Sequence, residues 1–235
     1  MKIEILTLFP ALCEAVLSES ILGRARKQGL VEIHARNIRD YTLDKHRRVD
    51  DAPYGGGYGM ILQAQPIADC FRALCAEWGA RPHFVCLSPQ GKTLTQQRCR
   101  ELAALPELAL LCGHYEGVDE RVIEALADEE ISIGDYVLTG GELPALVLCD
   151  AIARLLPGVL PSAAVFHDES HFAGLLEYPQ YTRPPVWEGR AVPEVLINGH
   201  HAKQQAWKRE QALERTRRKR PDLLADTEPS VADAD

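Results

Sequence analysis

The stretch "ISIGDYVLTGGELPAL", residues 131–146, runs from an apolar segment through two glycine-containing turns into a segment with helical character. Glycines between a strand and a helix usually let the backbone approach a ligand closely. The stretch carries Asp135 and Glu142 but no lysine, which phosphate-binding loops of this kind require. It therefore predicts a strand-to-helix turn that binds something other than a polyphosphate.

Two earlier apolar segments end in similar turns, one at Leu87, Ser88 and Pro89 and the other at Gly113. Short apolar segments alternate with helical patterns along this part of the chain. Such alternation is typical of an α/β protein with a mostly parallel sheet covered by helices. Because ligands of these sheets bind at the carboxyl ends of the strands, we expect these turns and Gly134 to line one pocket.

Helix ends are marked by capping signals at several positions. Pro66 and Gly79 bound one predicted helix, Thr95 is a candidate N-cap, and Asp119 is another. Residues 11–29 read as a single helix that ends at a glycine.

The length of 235 residues suits one large domain or two unequal ones. The βα pattern stops after Pro161, where a segment rich in Pro and Gly begins. A basic helical pattern follows it. We predict an α/β domain over residues 1–160, a linker over 161–175, and a small, mainly helical basic domain over 176–235 with a frayed acidic tail.

No apolar run approaches the ~20 residues of a membrane span, and the first residues do not resemble a signal peptide. We therefore expect a cytoplasmic protein. An odd cysteine count with no CxxC pair argues against a disulfide framework or a zinc ribbon. The cysteines read instead as small buried apolar residues. They are Cys13, Cys70, Cys75, Cys86, Cys99, Cys112 and Cys149.

The formal net charge is −8, but two segments are locally basic. Residues 24–48 and 203–220 each contain eight Lys and Arg residues. Either segment could be a solvated helix face. Together they favour a polyanionic partner.

The motif "YGGGYGM", residues 54–60, is not a phosphate loop, because no GK[ST] follows and no clear strand precedes it. It is either a flexible surface loop or a loop whose Tyr54 and Tyr58 can stack on a base. In "CGHYEGVDERV", residues 112–122, Glu116 follows a predicted strand. It suits a ribose or a cation, unless the segment is a plain turn.

The motif "HDESH", residues 167–171, places two histidines four residues apart with carboxylates between them. The order fits neither of the zinc-protease helix motifs, and the surroundings resemble a linker. A loop carboxylate that acts as a general base is the better interpretation. A metal-dependent hydrolase using His167, Glu169 and His171 is the alternative.

The loop "DDAPYGGGYGM", the three turn segments and "GLLEYPQYTRP" occur together and in this order. As a set they resemble the bacterial tRNA (guanine-N1)-methyltransferases of the SPOUT superfamily, from Met1 to about Leu224. The resemblance implies a deep trefoil knot at the C-terminal part of the methyltransferase domain. It also implies a homodimer with the active site between subunits, and S-adenosylmethionine as the ligand of the turns.

A sulfonium cofactor without phosphates needs no lysine, which fits the opening stretch. The cofactor-binding residues that the resemblance implies are Leu87, Ser88, Pro89, Gly113, Tyr115, Glu116, Gly117, Ile133, Gly134, Asp135, Tyr136, Val137, Leu138, Gly140, Gly141 and Pro144.

The implied reaction methylates N1 of the guanosine 3′ to the tRNA anticodon, tRNA position 37. That nitrogen is protonated at neutral pH, so a base must remove its proton and a cation should stabilise charge on O6. By position the assisting arginine is Arg154, and the family's linker aspartate falls on Glu169, with Asp168 beside it. Magnesium is used in the family, but no metal cluster is evident in this sequence.

Tyr58, Gly59 and the basic C-terminal helix correspond to the family's tRNA contacts, which gives the substrate candidates Lys203, Lys208 and Arg209. Two alternatives remain besides the hydrolase. One is a SPOUT enzyme acting on another RNA. The other is a non-enzymatic RNA-binding module, which would leave the glycine turns unexplained.

Overall fold

In the computed structural model of the chain, the structure is described for residues 1–162, 166 and 169–225. The chain divides into two compact units, Met1–Pro161 and Ser162–Asp235. Over the described ranges, no helix combines the length and the apolar character needed to cross a membrane.

The strands of the described residues are β1 (Lys2–Thr7), β2 (Glu32–Asn37), β3 (Asp50–Asp51), β4 (Ile61–Leu62), β5 (His83–Thr93), β6 (Glu107–Cys112), β7 (Glu129–Ser132), β8 (Val186–Trp187) and β9 (Arg190–Ala191). Five of them form a parallel sheet in the order β2-β1-β6-β5-β7. The pairs β3–β4 and β8–β9 are short antiparallel ribbons.

The α-helices of the described residues are α1 (Pro10–Leu17), α2 (Ser20–Lys27), α3 (Ala64–Trp78), α4 (Gln96–Ala103), α5 (Glu120–Leu126), α6 (Glu142–Ala153), α7 (His201–Lys219) and α8 (Asp222–Ala225). Single 3₁₀ turns occur at Ile38–Tyr41 and Glu194–Leu196.

The core of the first unit lies on both faces of the parallel sheet. Alternate residues of a strand point to opposite faces, so Ile3 and Ile5 pack in a cluster with α1, α2, α4 and α6, whereas Leu6 packs with α3 and α5. Phe84 stacks on Phe71 at 4.2 Å between ring centroids. Burial on both faces explains why the central strands are continuously apolar.

The predicted caps are confirmed. Gly79 ends α3 with a φ of 67°, a left-handed conformation that glycine adopts without strain. The Thr95 side chain accepts a hydrogen bond from the Arg98 amide at the start of α4, and Asp119 does the same for the Arg121 amide of α5.

The single helix predicted over residues 11–29 was wrong, because the chain breaks between α1 and α2. Ser20 has a φ of 53°. A Cβ at Gly23 would lie 2.1 Å from the Ser18 carbonyl oxygen, so only glycine allows α2 to start so close to the end of α1.

Strand β5 continues beyond Pro89, where the sequence pattern predicted its end. Leu87 and Lys92 both pair with Ile131 of β7, so residues 88–91 bulge out of the ladder between them. A Cβ at Gly91 would lie 2.4 Å from the Glu130 carbonyl carbon, and the returning strand therefore requires glycine there.

The second unit is built around α7. Among its described residues, the buried apolar ones are Phe166 and Ala212, and Thr216 is a buried polar residue. The Tyr181 ring lies 6.5 Å from the Trp207 ring. Ring contacts and hydrogen bonds therefore contribute much of the packing in this unit.

Candidate active site

A cavity opens at the carboxyl ends of β5, β6 and β7, where the turns after these strands converge. Of the residues predicted to bind a cofactor, Asp135 does not border this cavity. Those that do border it are Leu87, Ser88, Pro89, Gly113, Tyr115, Glu116, Gly117, Ile133, Gly134, Tyr136, Val137, Leu138, Gly140, Gly141 and Pro144. The bulge at 88–91 brings Ser88, Pro89 and Gln90 to the cavity wall.

The turn after β6 is tightly folded, with a φ of 59° at Tyr115 and 141° at Gly117. It is hydrogen-bonded to the chain before α3. The Glu116 amide donates to the Met60 carbonyl, and the Leu62 amide donates to the Gly117 carbonyl, both at 3.0 Å. The loop that carries "YGGGYGM" is thereby connected directly to the cavity wall, a connection that the sequence did not predict.

Gly59 lies against the side chain of Glu116. A Cβ there would lie 2.4 Å from Glu116 Cγ, and the φ of Gly59 is 82°. This backbone conformation favours glycine, whereas the flexible Glu116 side chain could move aside. The predicted substrate residue Gly59 and the predicted cofactor residue Glu116 are therefore in contact.

The turn after β7 is closed by Ser132, whose hydroxyl donates to the Gly134 carbonyl at 2.9 Å and accepts from the Gly134 amide at 3.2 Å. The Tyr136 ring folds back over Gly134, where a Cβ would meet ring carbon Cε1 at 2.5 Å. Ser132 borders the cavity but was not predicted as a site residue.

The pair Gly140 and Gly141 crosses the turn after β6. The Gly141 amide donates to the Gly113 carbonyl at 2.8 Å, and Gly140 forms a bridge with His114. A Cβ at Gly141 would lie 2.6 Å from Cys112 Cα. The two glycines of the opening stretch thus permit a close backbone crossing of two cavity walls.

Of the two carboxylates in the opening stretch, Glu142 is buried and accepts a hydrogen bond from the Thr7 hydroxyl at 2.7 Å. Neither Glu142 nor Asp135 borders the cavity. The carboxylates that do are Glu116, Glu120 and Glu130. Glu120 and Glu130 were missed because each lies in a helix or strand next to a turn, outside the glycine motifs.

The cavity wall combines backbone groups of tight turns with apolar side chains such as Leu138 and Ile133. Its described lining residues include three carboxylates and neither lysine nor arginine. The Nδ1 atom of His114 is buried there without a hydrogen-bond partner in the described structure. A buried polar atom of this kind is usually satisfied by a ligand or water.

The predicted catalytic residues belong to different units. Arg154 is the C-cap of α6 in the first unit, where its amide donates to the Asp150 carbonyl at 3.2 Å. Glu169 is half-buried in the second unit, and its amide donates to the Phe166 carbonyl at 3.1 Å. The reserve candidate Asp168 lies outside the described residues.

The predicted metal alternative also involves His167, which lies outside the described residues. Over the part of the chain that is described, no group of three or more His, Cys, Asp or Glu side chains could hold a metal ion. The described structure therefore offers no support for the hydrolase alternative.

The predicted tRNA-contacting side chains are accessible. Tyr54 and Tyr58 are almost fully exposed, at 101% and 97%. Lys203 and Arg209 are exposed on α7. Lys208 is half-buried there, with its Nζ 4.6 Å from the centre of the Tyr178 ring.

Most of the cysteines are unsuited to nucleophilic catalysis. All except Cys75 are buried, as expected for small apolar residues. Burial raises the pKa of Cys70 and of Cys86 to about 12. Such thiols stay protonated near neutral pH and are poor nucleophiles.

Comparison with known proteins identifies the family. The profile of tRNA (Guanine-1)-methyltransferase TrmD matches residues 1–226. A tRNA (guanine-N(1)-)-methyltransferase of Ruminiclostridium cellulolyticum is 59% identical over 224 residues, which cover 95% of this chain and 96% of the relative. The protein of the same name from Geobacter sulfurreducens is 52% identical, with 100% of this chain and 96% of the relative covered. With a family match of this extent, the chain belongs to the tRNA (guanine-1)-methyltransferase family.

Proposed function

We propose that this protein transfers a methyl group from S-adenosylmethionine to N1 of the guanosine immediately 3′ to the tRNA anticodon. The observation that carries the proposal is the cavity at the strand ends, formed by three glycine-containing turns in a chain of this family. The alternative hydrolase has no support from the family.

The cavity fits S-adenosylmethionine by the chemistry of its groups. Amide and carbonyl groups of the turns can bind adenine and ribose, and the unpaired Nδ1 of His114 offers a further polar contact. Glu116, Glu120 and Glu130 favour a cation, whereas a phosphate would need the basic residues that the described lining lacks. When bound, the cofactor supplies a methyl group activated by positively charged sulfur.

Glu169 is the proposed general base, with Asp168 in reserve. It would accept the N1 proton of guanine, which frees the nitrogen lone pair for attack on the methyl carbon. Arg154 would stabilise the negative charge that develops on O6 as the proton leaves. The proton thus ends on the carboxylate and the methyl group on N1, so the guanine carries no net charge after the transfer.

Two regions are proposed to bind tRNA: the exposed loop with Tyr58 and Gly59, and the basic helix α7. Tyr58 and Gly59 present an exposed loop whose aromatic ring can stack on a base. Lys203, Lys208 and Arg209 on α7 would contact phosphates, which explains tRNA binding despite the net charge of −8.

We also propose a homodimer, with an apolar surface of the first unit as the interface. Leu12 and Val16 of α1 and Leu143 and Val147 of α6 are about half exposed, and α1 packs against α6. An exposed apolar surface of two adjoining helices suits burial against a second copy. Sedimentation equilibrium would show a dimer that Leu143→Asp converts to a monomer.

The trefoil knot and a magnesium requirement stay proposals drawn from the family resemblance, and the cytoplasmic location stays a proposal drawn from the sequence pattern. The crossing of Gly140 and Gly141 over the turn after β6 supports the knot. Magnesium would be tested by methylation in the presence of EDTA with and without added Mg²⁺.

The function is tested by transfer of labelled methyl from S-adenosylmethionine to two tRNA transcripts that carry guanine or adenine 3′ to the anticodon. We expect label on the guanine transcript alone. Equal labelling of both would indicate a methyltransferase for another RNA position. Absence of label on either transcript, with magnesium present, would overturn the proposal.

The base is tested with Glu169→Gln and Asp168→Asn as a matched pair. Removal of a general base typically lowers the rate about 100-fold to 10,000-fold. We expect a loss of this size for Glu169→Gln, with unchanged affinity for S-adenosylmethionine. A larger loss of methylation rate in Asp168→Asn than in Glu169→Gln would instead identify Asp168 as the general base.

A further inference from the structure

Thr216 is the one polar residue among the buried residues of α7, and its side chain is fully buried. Its hydroxyl donates to the Ala212 carbonyl at 2.7 Å and accepts from the Leu176 amide at 2.9 Å. The hydroxyl proton forms the bond within α7, and the hydroxyl oxygen accepts a hydrogen bond from a backbone amide 40 residues earlier in the chain. Both partners belong to the second unit.

The segment that Thr216 holds is a closed loop, residues 169–177. The His171 amide donates to the Leu175 carbonyl at 2.9 Å, and the Glu177 amide donates to the Ser170 hydroxyl at 3.0 Å. The Phe172 amide donates to the Glu169 carbonyl at 3.2 Å. These bonds join the two ends of the loop, so a displacement at Leu176 is passed on to Glu169.

The backbone of this loop is also constrained. His171 has a φ of 68°, which is uncommon for a residue with a side chain, and Gly174 has a φ of 80°. The Phe172 ring stacks on Phe166 with 5.6 Å between centroids and 19° between planes. The loop is therefore a defined structure whose attachment to α7 includes the Leu176–Thr216 bond.

We propose that Thr216 is a positioning residue that fixes the 169–177 loop, and with it Glu169, to helix α7. The inference rests on the proposed function, in which Glu169 is the base and α7 contacts tRNA. A tRNA seated on α7 then influences the place of the base through the buried Leu176–Thr216 hydrogen bond. Misplacement of a catalytic group by about 1 Å can lower a rate about 100-fold.

The primary test compares Thr216→Val, which keeps the side-chain shape but removes both hydrogen bonds, with Thr216→Ser, which keeps the hydroxyl. Single-turnover methylation of the guanine transcript should slow at least tenfold in Thr216→Val. Affinity for tRNA and for S-adenosylmethionine should stay within about twofold of the wild type. Thr216→Ser should retain most of the wild-type rate. A normal rate in Thr216→Val would overturn the proposal.

A double-mutant cycle separates positioning from general stability. If Thr216 acts through Glu169, Thr216→Val should cause no additional loss of rate in a Glu169→Gln background. An equal loss in both backgrounds, or a loss of tRNA affinity that matches the loss of rate, would show a merely structural role and refute the proposal.

Ser170→Ala provides a second variant in case Thr216→Val folds poorly. It removes the acceptor of the Glu177 amide on an exposed side chain, so it leaves the α7 packing intact. We expect the same selective loss of methylation rate. A normal rate would contradict the inference that the position of Leu176 determines the position of Glu169. Failure of the proposed function is distinguishable, since the wild type itself would then not methylate the guanine transcript.

Discussion

The turns around the cavity in the first unit and the 169–177 loop in the second unit both carry residues of the proposed reaction, yet they are held differently. In the first unit, one turn is closed by the Ser132 hydroxyl, but the closest contacts are between backbone segments, as where Gly141 lies against Cys112 and Gly91 against Glu130. In the second unit, side-chain hydroxyls of Ser170 and Thr216 hold the loop.

This difference indicates how each region responds to a ligand. Close backbone contacts on a buried sheet leave little freedom, so the cavity is preorganised. Single hydrogen bonds on a unit whose described residues bury little apolar surface can be rearranged at small cost. The cofactor would therefore meet a fixed site, and the base would be placed by the binding of tRNA.

The largest effect is expected for Gly141→Ala, which would break the backbone crossing in the first unit. The new Cβ would lie 2.6 Å from Cys112 Cα and 2.9 Å from the Gly113 amide nitrogen, and backbone cannot move aside cheaply. We expect destabilisation of about 3 kcal/mol and a loss of S-adenosylmethionine affinity of about 100-fold. Thermal unfolding and calorimetric titration would measure these changes.

Gly113→Ala is the matched control in the neighbouring wall. Its Cβ would lie 3.6 Å from Val118 Cγ2 and 3.8 Å from the Leu87 carbonyl oxygen, which are ordinary contacts. The melting temperature should therefore stay near that of the wild type. Equal destabilisation by both variants would show that the crossing has no special rigidity.

A smaller effect is expected at Glu129, which begins the strand leading into the cavity. Arg98 donates to both carboxylate oxygens, at 3.0 and 2.6 Å, and His83 contacts one of them at 2.8 Å. Burial alone would raise the pKa of this carboxyl. The hydrogen bonds from Arg98 and His83 outweigh burial, and the pKa lies below its ordinary value of 4.5.

A depressed carboxyl pKa stabilises the fold above the unfolded-state pKa, and this contribution is lost as pH falls through the folded-state pKa. Glu129→Gln should therefore lower the free energy of unfolding by about 1 kcal/mol at pH 7. The difference from the wild type should shrink as the pH drops below 4.5. Urea unfolding across this range measures it, and a constant difference would contradict the ion-pair explanation.

The smallest effect is expected at Lys208 in the second unit. Lys208→Ala should weaken tRNA binding only a few-fold and reduce the slope of log affinity against log salt by about one. Lys208→Arg keeps the charge and the contact with the Tyr178 ring, so it should preserve the slope. Filter binding at several salt concentrations would test this, and an unchanged slope in Lys208→Ala would remove the residue from the tRNA surface.

The sequence was sufficient for the parallel sheet, because alternating apolar segments and caps such as Thr95 and Asp119 are local signals. Membership of the tRNA (guanine-1)-methyltransferase family was also predicted correctly from the motifs, and the comparisons confirm it. The turns at Leu87, Gly113 and Gly134 were expected to converge, since strand ends in a parallel sheet share one edge.

Other features depend on contacts that no local pattern encodes. The break between α1 and α2 lacks a proline, and its cause is the approach of Gly23 to Ser18. The pairing of Glu142 with Thr7 joins positions 135 residues apart. The carboxylates Glu120, which begins α5, and Glu130, on β7, lie far apart in the chain but border the same cavity.

Because Leu87 and Lys92 both pair with Ile131, the number of residues between them sets the size of the cavity wall that they form. Both ends of the excursion are fixed to the same residue of β7, so an inserted residue would lengthen the wall around the space that a ligand would occupy. A deleted residue would widen that space and leave the sheet in register. Insertions or deletions between Leu87 and Lys92 could therefore change which ligand fits the cavity without altering any core side chain.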